Sequence, residues 1–133
     1  MFNHGAPTLA AIFDWEMSTV GDPLLDLGCV MNGWTDQGEE RTSGYVDATG
    51  LPSRDEMLER YASVSGRWVD EIDYCVILAW FKLAIVLEAG YDRIAAGTAD
   101  NPGTAGYEHV VLDNMLAAAG LASTTKLGQK GAA

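Results

Sequence analysis

Apolar residues along the chain follow two different spacings. At the start, Met1-Phe2 and Leu9 to Phe13 are apolar runs too short for a helix, and a segment with a Gly and a Pro separates them. This arrangement predicts the two strands of a short hairpin. Farther on, apolar residues recur at helical spacing. The chain is therefore predicted to be mainly α-helical (α+β), with a hairpin over about 1–14 and helices over about 22–34, 53–65, 70–96 and 107–119.

Local signals mark several helix ends. Pro23 suits the first turn of a helix, because backbone N–H groups there have no acceptor within the helix and proline, which lacks an N–H, loses no hydrogen bond. Asp22 suits the cap position before it. Ser53 and Glu56 have the spacing of a capping box, and Gly66 is expected to end that helix. The polar, glycine-rich segments 35–52 and 97–106 are predicted loops. Residues 1–120 would form one domain, followed by a flexible tail over 121–133.

The predicted helix over 70–96 is apolar on almost all sides and long enough to suggest a membrane span. Lys82 lies near the centre of its most apolar run, and Glu88 follows. A charge at the middle of a bilayer costs roughly 2.5 to 3.5 kcal/mol on insertion scales. The sequence therefore predicts a buried core helix and no contact with a membrane, with Lys82 as a snorkelling or paired structural residue.

Charge and cysteine content narrow the possible functions. Nineteen acidic and eight basic residues give a net charge of −11, which repels a phosphate backbone, so nucleic-acid binding is not expected. Cys29 and Cys75 lie in apolar surroundings without a metal-binding spacing, and are predicted to be small buried hydrophobic residues in a reducing compartment. No secretory signal is visible at the N-terminus, so the expected location is cytoplasmic.

Four carboxylates surround the Gly-Asp-Pro turn that follows the predicted hairpin. An acid at a strand end with another two residues later, here Asp14 and Glu16, commonly holds a divalent cation. From the spacing alone, a turn-capping Asp14 with a solvated Glu16 is an equally good account. Asp22 is better explained as a helix cap than as a ligand. Asp26 lies among leucines on a helix predicted to be buried, so it needs hydrogen-bond partners and is interpreted as a structural strut.

The string FDWEMSTVGDPLLDLG resembles the metal-binding segment of the aminoglycoside phosphotransferase and choline kinase-like family. The segments SRDEMLERYASVSGR and EIDYCVILAWFKLAIVLEAGY are similar to the C-terminal lobe of bacterial members, so the resemblance covers roughly residues 1–120. It implies a protein kinase-like fold in which Asp14 binds the catalytic Mg²⁺ against the phosphates of ATP, with Glu16 close to the same site. It also implies that Asp22 holds the turn and that Asp26 braces the catalytic loop.

Other parts of the family pattern do not occur in these 133 residues. Members carry a His-Gly-Asp catalytic loop and a nucleotide-binding lobe before the matching segment. The tripeptide His4-Gly5-Ala6 lacks the Asp, and no phosphate loop or ATP-pairing Lys precedes Asp14. We therefore predict no catalytic residue in this chain and no kinase activity in isolation, because a base for the substrate hydroxyl and a cradle for the phosphates are both needed.

Two other functional interpretations stay open at this stage. A haloacid dehalogenase-like phosphatase also begins with an apolar strand and two acids, the first a nucleophile and the second a general acid. Here Glu16 replaces the second Asp and Trp15 lies between the two acids, which departs from that pattern. The third interpretation is a non-catalytic helical interaction or assembly module. Such a lobe would expose apolar surface and would self-associate or pair with a missing N-terminal lobe.

Overall fold

The computed structural model describes residues 1–15, 18, 20–34, 49–98 and 107–127. The helix over Ile72–Ala95 (α3) is central in this part of the chain and packs against the helices over Leu24–Gly33 (α1) and Tyr107–Thr124 (α4). The prediction of a mainly helical fold is confirmed. The described residues form four helices, α1 (Leu24–Gly33), α2 (Arg54–Ser65), α3 (Ile72–Ala95) and α4 (Tyr107–Thr124).

The core lies where α1 and α4 meet α3. Met31 of α1 is 0% exposed and Val76 of α3 is 1% exposed, so these two side chains are sealed from water. Burying side chains of this size contributes about 1.5 to 3 kcal/mol each. Within the described residues, no helix is both long enough and apolar enough to cross a membrane. The buried core cluster consists of Leu27, Met31, Trp34, Ile72, Cys75, Val76, Trp80 and Ala118.

The predicted N-terminal hairpin is reduced to one antiparallel bridge between Phe2 and Leu9. The bridge is flanked by hydrogen bonds from the Asn3 N–H to the Thr8 carbonyl, at 2.9 Å, and from the Ala10 N–H to the Met1 carbonyl, at 3.0 Å. A two-stranded ribbon is marginal on its own because it needs a third strand or a helix against one face. The described residues provide neither, which explains why the pairing does not extend into strands.

Helix α2 begins and ends at the predicted signals. The Ser53 hydroxyl accepts a hydrogen bond from the Glu56 N–H at 3.2 Å, and the Glu56 carboxylate accepts one from the Ser53 N–H at 2.8 Å. At the other end, Gly66 adopts φ 69°, the left-handed conformation that glycine accepts without strain. The capping box and the glycine stop are both confirmed.

Helix α4 extends beyond its predicted end. We expected it to stop before Gly120, but it continues to Thr124. The Gly120 carbonyl accepts hydrogen bonds from the Ser123 and Thr124 hydroxyls, and Leu121 packs against the core. The Thr125 hydroxyl then donates to the Asp73 carboxylate at 2.6 Å, which ties the end of α4 to the start of α3. These contacts explain why the helix persists, and the predicted tail beyond residue 127 lies outside the described residues.

Replacing Ser53 by alanine is expected to lower the free energy of unfolding by about 1 kcal/mol, because the Glu56 N–H loses its acceptor. Helix α2 has no fully buried residue, so it depends on its caps more than the other helices do. Urea unfolding followed by circular dichroism measures the change. Ser63→Ala is the control, because that hydroxyl only donates to the Arg60 carbonyl inside the helix. An equal loss for both variants would contradict the capping account.

Candidate functional site

An open cleft of about 390 Å³ lies between the segment before α1, the outer side of α1 and one residue of α3. It brings together three of the four predicted site acids. It also contains the Cys29 thiol, which the sequence interpretation had placed in the core, and the Lys82 ammonium group. The residues that carry its chemistry are Asp14, Ser18, Asp22, Asp26, Cys29 and Lys82.

Asp14 has an unusual backbone conformation. Its φ is 71°, and among the described residues it is the one non-glycine residue with a positive φ. Aspartate tolerates the left-handed region better than most residues, but the conformation is still costly, and such strain clusters at functional sites. The Asp14 side chain is exposed at the edge of the cleft. The backbone thus turns a carboxylate outward at the place where the sequence predicts a metal ligand.

Hydrogen bonds fix the chain on both sides of Asp14. The Trp15 indole N–H donates to the Ile12 carbonyl at 2.8 Å. The Trp15 carbonyl in turn accepts from the Ser18 N–H at 2.9 Å and from the Ser18 hydroxyl at 2.6 Å. Within the described part of the chain, these bonds engage the backbone around Asp14 but not its carboxylate. The carboxylate oxygens therefore keep their capacity to bind a cation.

Asp22 holds the turn that leads into α1. Its side chain accepts a hydrogen bond from the Leu24 N–H at 3.0 Å, and its carbonyl accepts one from the Leu25 N–H at 3.0 Å. These two bonds satisfy amide groups that would otherwise be unpaired at the start of the helix. The cap position of α1 itself is occupied by Pro23, one residue later than predicted, and Asp22 holds the turn before it.

Asp26 does not lie where the sequence predicts. We expected a buried carboxylate, but Asp26 is exposed and lines the cleft. The reason is the orientation of α1, which turns Leu27 and Met31 toward α3 and thereby directs Asp26 outward. The expectation of burial was wrong. Bracing of a catalytic loop by Asp26 stays a prediction implied by the resemblance.

Gly28 allows α1 to approach α3 closely. A Cβ atom at this position would lie 2.6 Å from both the carbonyl carbon and the carbonyl oxygen of Cys75. Real Cβ atoms essentially never come that close to backbone atoms, and backbone cannot move aside as a flexible side chain can. The glycine of the Asp-Leu-Gly motif is thus required for packing, a role that the sequence interpretation missed.

Cys29 also differs from its predicted position. Cys75 is buried as expected, but Cys29 is exposed. Lys82, predicted to be a snorkelling or paired residue on the core helix, is exposed and lines the cleft. Partial desolvation raises the pKa of the Cys29 thiol, while the nearby Lys82 cation lowers it and the Asp26 charge raises it further. The net effect is upward, so this thiol stays protonated at neutral pH and is a weak nucleophile.

The second predicted metal ligand, Glu16, lies outside the described residues. Among the described residues, no group of three His, Cys, Asp or Glu side chains is arranged to hold a metal ion. Asp14 would therefore share a cation with ligands from elsewhere. Mg²⁺ fits this arrangement, since it is usually bound by one or two carboxylates together with water and substrate phosphates.

Comparison with known proteins gives matches at the sequence level. Residues 1–62 match the model of the phosphotransferase enzyme family, APH. Acyl-CoA dehydrogenase family member 11 of Homo sapiens is 30% identical over 94 residues, which cover 65% of this chain and 12% of that protein. Acyl-CoA dehydrogenase family member 10 of Mus musculus is 25% identical over 114 residues, 76% of this chain and 10% of that protein. The chain thus spans 10 to 12% of these curated relatives. No solved structure matches it.

Proposed function

We propose that this chain, whose first 62 residues match the model of a phosphotransferase enzyme family, is the helical C-terminal lobe of an ATP- and Mg²⁺-dependent small-molecule phosphotransferase. The parent reaction transfers the γ-phosphoryl group of ATP in line to a substrate hydroxyl. The observation that carries the proposal is the exposed Asp14 carboxylate, presented at the edge of a cleft by a left-handed backbone. The family match supports it, because the matched region includes Asp14.

In this proposal the site residues have separate tasks. Asp14, together with Glu16 two positions later in the sequence, supplies hard carboxylate oxygens to Mg²⁺. When bound, the ion neutralises charge on the phosphate oxygens of the nucleotide. Asp22 fixes the turn, and Gly28 keeps α1 against α3, so that the edge carrying Asp14 stays in place. None of these residues moves a proton, and we assign none of them as a catalytic residue.

Completing the site requires a second lobe. The parent reaction needs a base for the substrate hydroxyl and donors that cradle the phosphates, and positioning of both supplies most of the rate enhancement. The sequence interpretation finds neither group in these 133 residues. A nucleotide-binding lobe that packs over the cleft would provide them, either in the same polypeptide or as a separate chain.

Calorimetric titration of the isolated chain with ATP, with excess Mg²⁺ already present in both solutions, is expected to give no binding heat. Incubation with ATP and a mixture of small hydroxyl acceptors is likewise expected to give no phosphorylated product. The reason is that one metal-binding edge without a phosphate cradle holds a nucleotide too weakly. Circular dichroism before and after the titration checks that the chain is folded. Saturable, Mg²⁺-dependent heat would show that these residues form a nucleotide site alone, contrary to the proposed inactivity.

One observation favours a second candidate, a non-catalytic interaction module. Apolar side chains of the N-terminal hairpin are more than half exposed, as expected of a surface that another polypeptide covers. The haloacid dehalogenase-like interpretation has no such support. Its nucleophile lies at the end of a strand in a parallel sheet, and in the described residues around Asp14 there is no sheet.

A further inference from the structure

Lys82 is an isolated cation on α3. It is the one charged residue in the sequence from Tyr74 to Leu87. Its side chain is exposed and lines the cleft that contains Asp14. A partner for an ion pair on the same helix would have to lie three or four residues away. Those four positions are all apolar, namely Leu78, Ala79, Ile85 and Val86.

The residues across the cleft do not pair with Lys82 either. Among the described residues, its ammonium group makes no hydrogen bond and no ion pair. Lys82 and Asp26 nevertheless lie close enough to the Cys29 thiol for the charges of both to act on it. The Asp22 carboxylate, in contrast, accepts a hydrogen bond from the Leu24 N–H. An ammonium group and carboxylates therefore line one open cleft without contacting each other, which leaves space for a ligand between them.

The charges of the cleft determine which ligand can bind there. The described lining residues include three carboxylates and one ammonium group, and the whole chain has a net charge of −11. A free anion is therefore repelled from the cleft. A divalent cation at Asp14 would balance the excess negative charge of the lining residues. An anion that is bound to this cation could then approach Lys82.

We propose that Lys82 is a phosphate-binding residue, and that it binds an oxygen of a polyphosphate whose other oxygens bind the divalent cation at Asp14. The inference rests on the proposed function, because it requires that cation. A polyphosphate offers negative oxygens to a metal ion and to an ammonium group at the same time. It also arrives with its own cation, whereas a carboxylate from a second lobe would only add negative charge to the cleft.

A titration of the ¹⁵N-labelled chain with inorganic triphosphate, followed by amide NMR shifts, tests the inference. NMR is needed because one carboxylate and one ammonium group hold the probe too weakly for calorimetry. With Mg²⁺ in excess, shifts are expected around Asp14 and Lys82. Without Mg²⁺, or in Asp14→Asn, no shifts are expected there. Lys82→Gln is expected to weaken triphosphate binding at least about tenfold, and Lys82→Arg, which keeps a cation, is expected to retain it.

Lys126→Gln is the matched control for the lost positive charge. Lys126 is exposed and is not among the residues that line the cleft. This variant is expected to bind triphosphate as the parent chain does. Equal weakening by Lys82→Gln and Lys126→Gln would show an effect of net charge alone and would overturn the inference. Shifts around Lys82 with triphosphate but without Mg²⁺ would also overturn it, because the anion would then bind without the cation.

Mn²⁺ binding separates this inference from the proposed function. Mn²⁺ is expected to broaden the amide signals around Asp14 in Lys82→Gln as in the parent chain, because an ammonium group is not a metal ligand. If Mn²⁺ does not bind at Asp14 in the parent chain, the proposed function fails and the inference fails with it. If Mn²⁺ binds there but Lys82→Gln takes up triphosphate as tightly as the parent chain, only the inference fails.

Urea unfolding of Lys82→Gln separates phosphate binding from a structural role. The Lys82 side chain is exposed and makes no ion pair with the described residues, so the variant is expected to unfold at the same urea concentration as the parent chain. A clear shift to lower urea concentration would show that Lys82 holds the fold together, and would overturn the inference.

Discussion

Gly28→Ala is expected to lower the free energy of unfolding by about 3 kcal/mol, at the upper end of the range for overpacked cores. The added methyl group would lie 2.6 Å from the Cys75 backbone, so α1 and α3 must move apart. No side-chain rotation relieves this contact. The shift would also loosen the packing of Met31, which is 0% exposed, and the core would lose apolar contact over the whole face of α1.

Gly120→Ala is the matched control for this prediction. Gly120 lies inside α4, and a Cβ atom there would have no other atom within 4 Å. The substitution is expected to raise stability by about 0.5 to 1 kcal/mol, because alanine loses less conformational freedom than glycine in a helix. Urea unfolding of both variants gives the two values. A loss for Gly28→Ala no larger than about 0.5 kcal/mol, the usual limit for surface substitutions, would contradict the close approach of the helices.

Asp14→Asn is expected to weaken the binding of divalent cations in the cleft at least about tenfold while leaving the fold intact. The amide removes the negative charge and one hard oxygen ligand. Asparagine accepts the left-handed backbone about as well as aspartate does, so φ 71° can be kept. Asp14→Ala removes the same ligand but also strains the turn, so it is expected to lose stability as well as binding.

Asp92→Asn controls for the change in net charge. Asp92 is exposed near the end of α3 and is not among the residues that line the cleft. Both variants raise the net charge by one unit, so a general electrostatic effect would weaken cation binding equally in both. A loss confined to Asp14→Asn would assign the binding to the cleft.

Features set by local interactions could be predicted from the sequence. The capping box of Ser53 and Glu56 and the stop at Gly66 depend on residues in or next to one helix, and both occur as expected. The family resemblance rests on contiguous segments, and the one that contains Asp14 lies within the family match over residues 1–62. In each case the information lies in a short stretch of chain, so packing between distant segments does not alter it.

Features set by packing between helices could not be predicted. Helix α1 is apolar on most sides, so its sequence does not show which side faces α3. In the structure the side of α1 that carries Leu27 and Met31 packs against α3. Asp26 and Cys29 therefore face outward, although both were expected to be buried. The role of Gly28 depends on Cys75, far away in the sequence, and no pattern within α1 indicates it. The sequence also does not indicate that Asn114 of α4 is buried. Its side-chain amide has no hydrogen-bond partner among the described residues.

The most direct test of the central claim, that Asp14 presents a cation-binding carboxylate at the edge of the cleft, is a Mn²⁺ titration of the ¹⁵N-labelled chain. Bound Mn²⁺ broadens the amide signals nearest to it. We expect broadening to begin around Asp14 and Asp26, to disappear in Asp14→Asn and to persist in Asp92→Asn. Broadening that begins elsewhere, or that is unchanged in Asp14→Asn, would contradict the account.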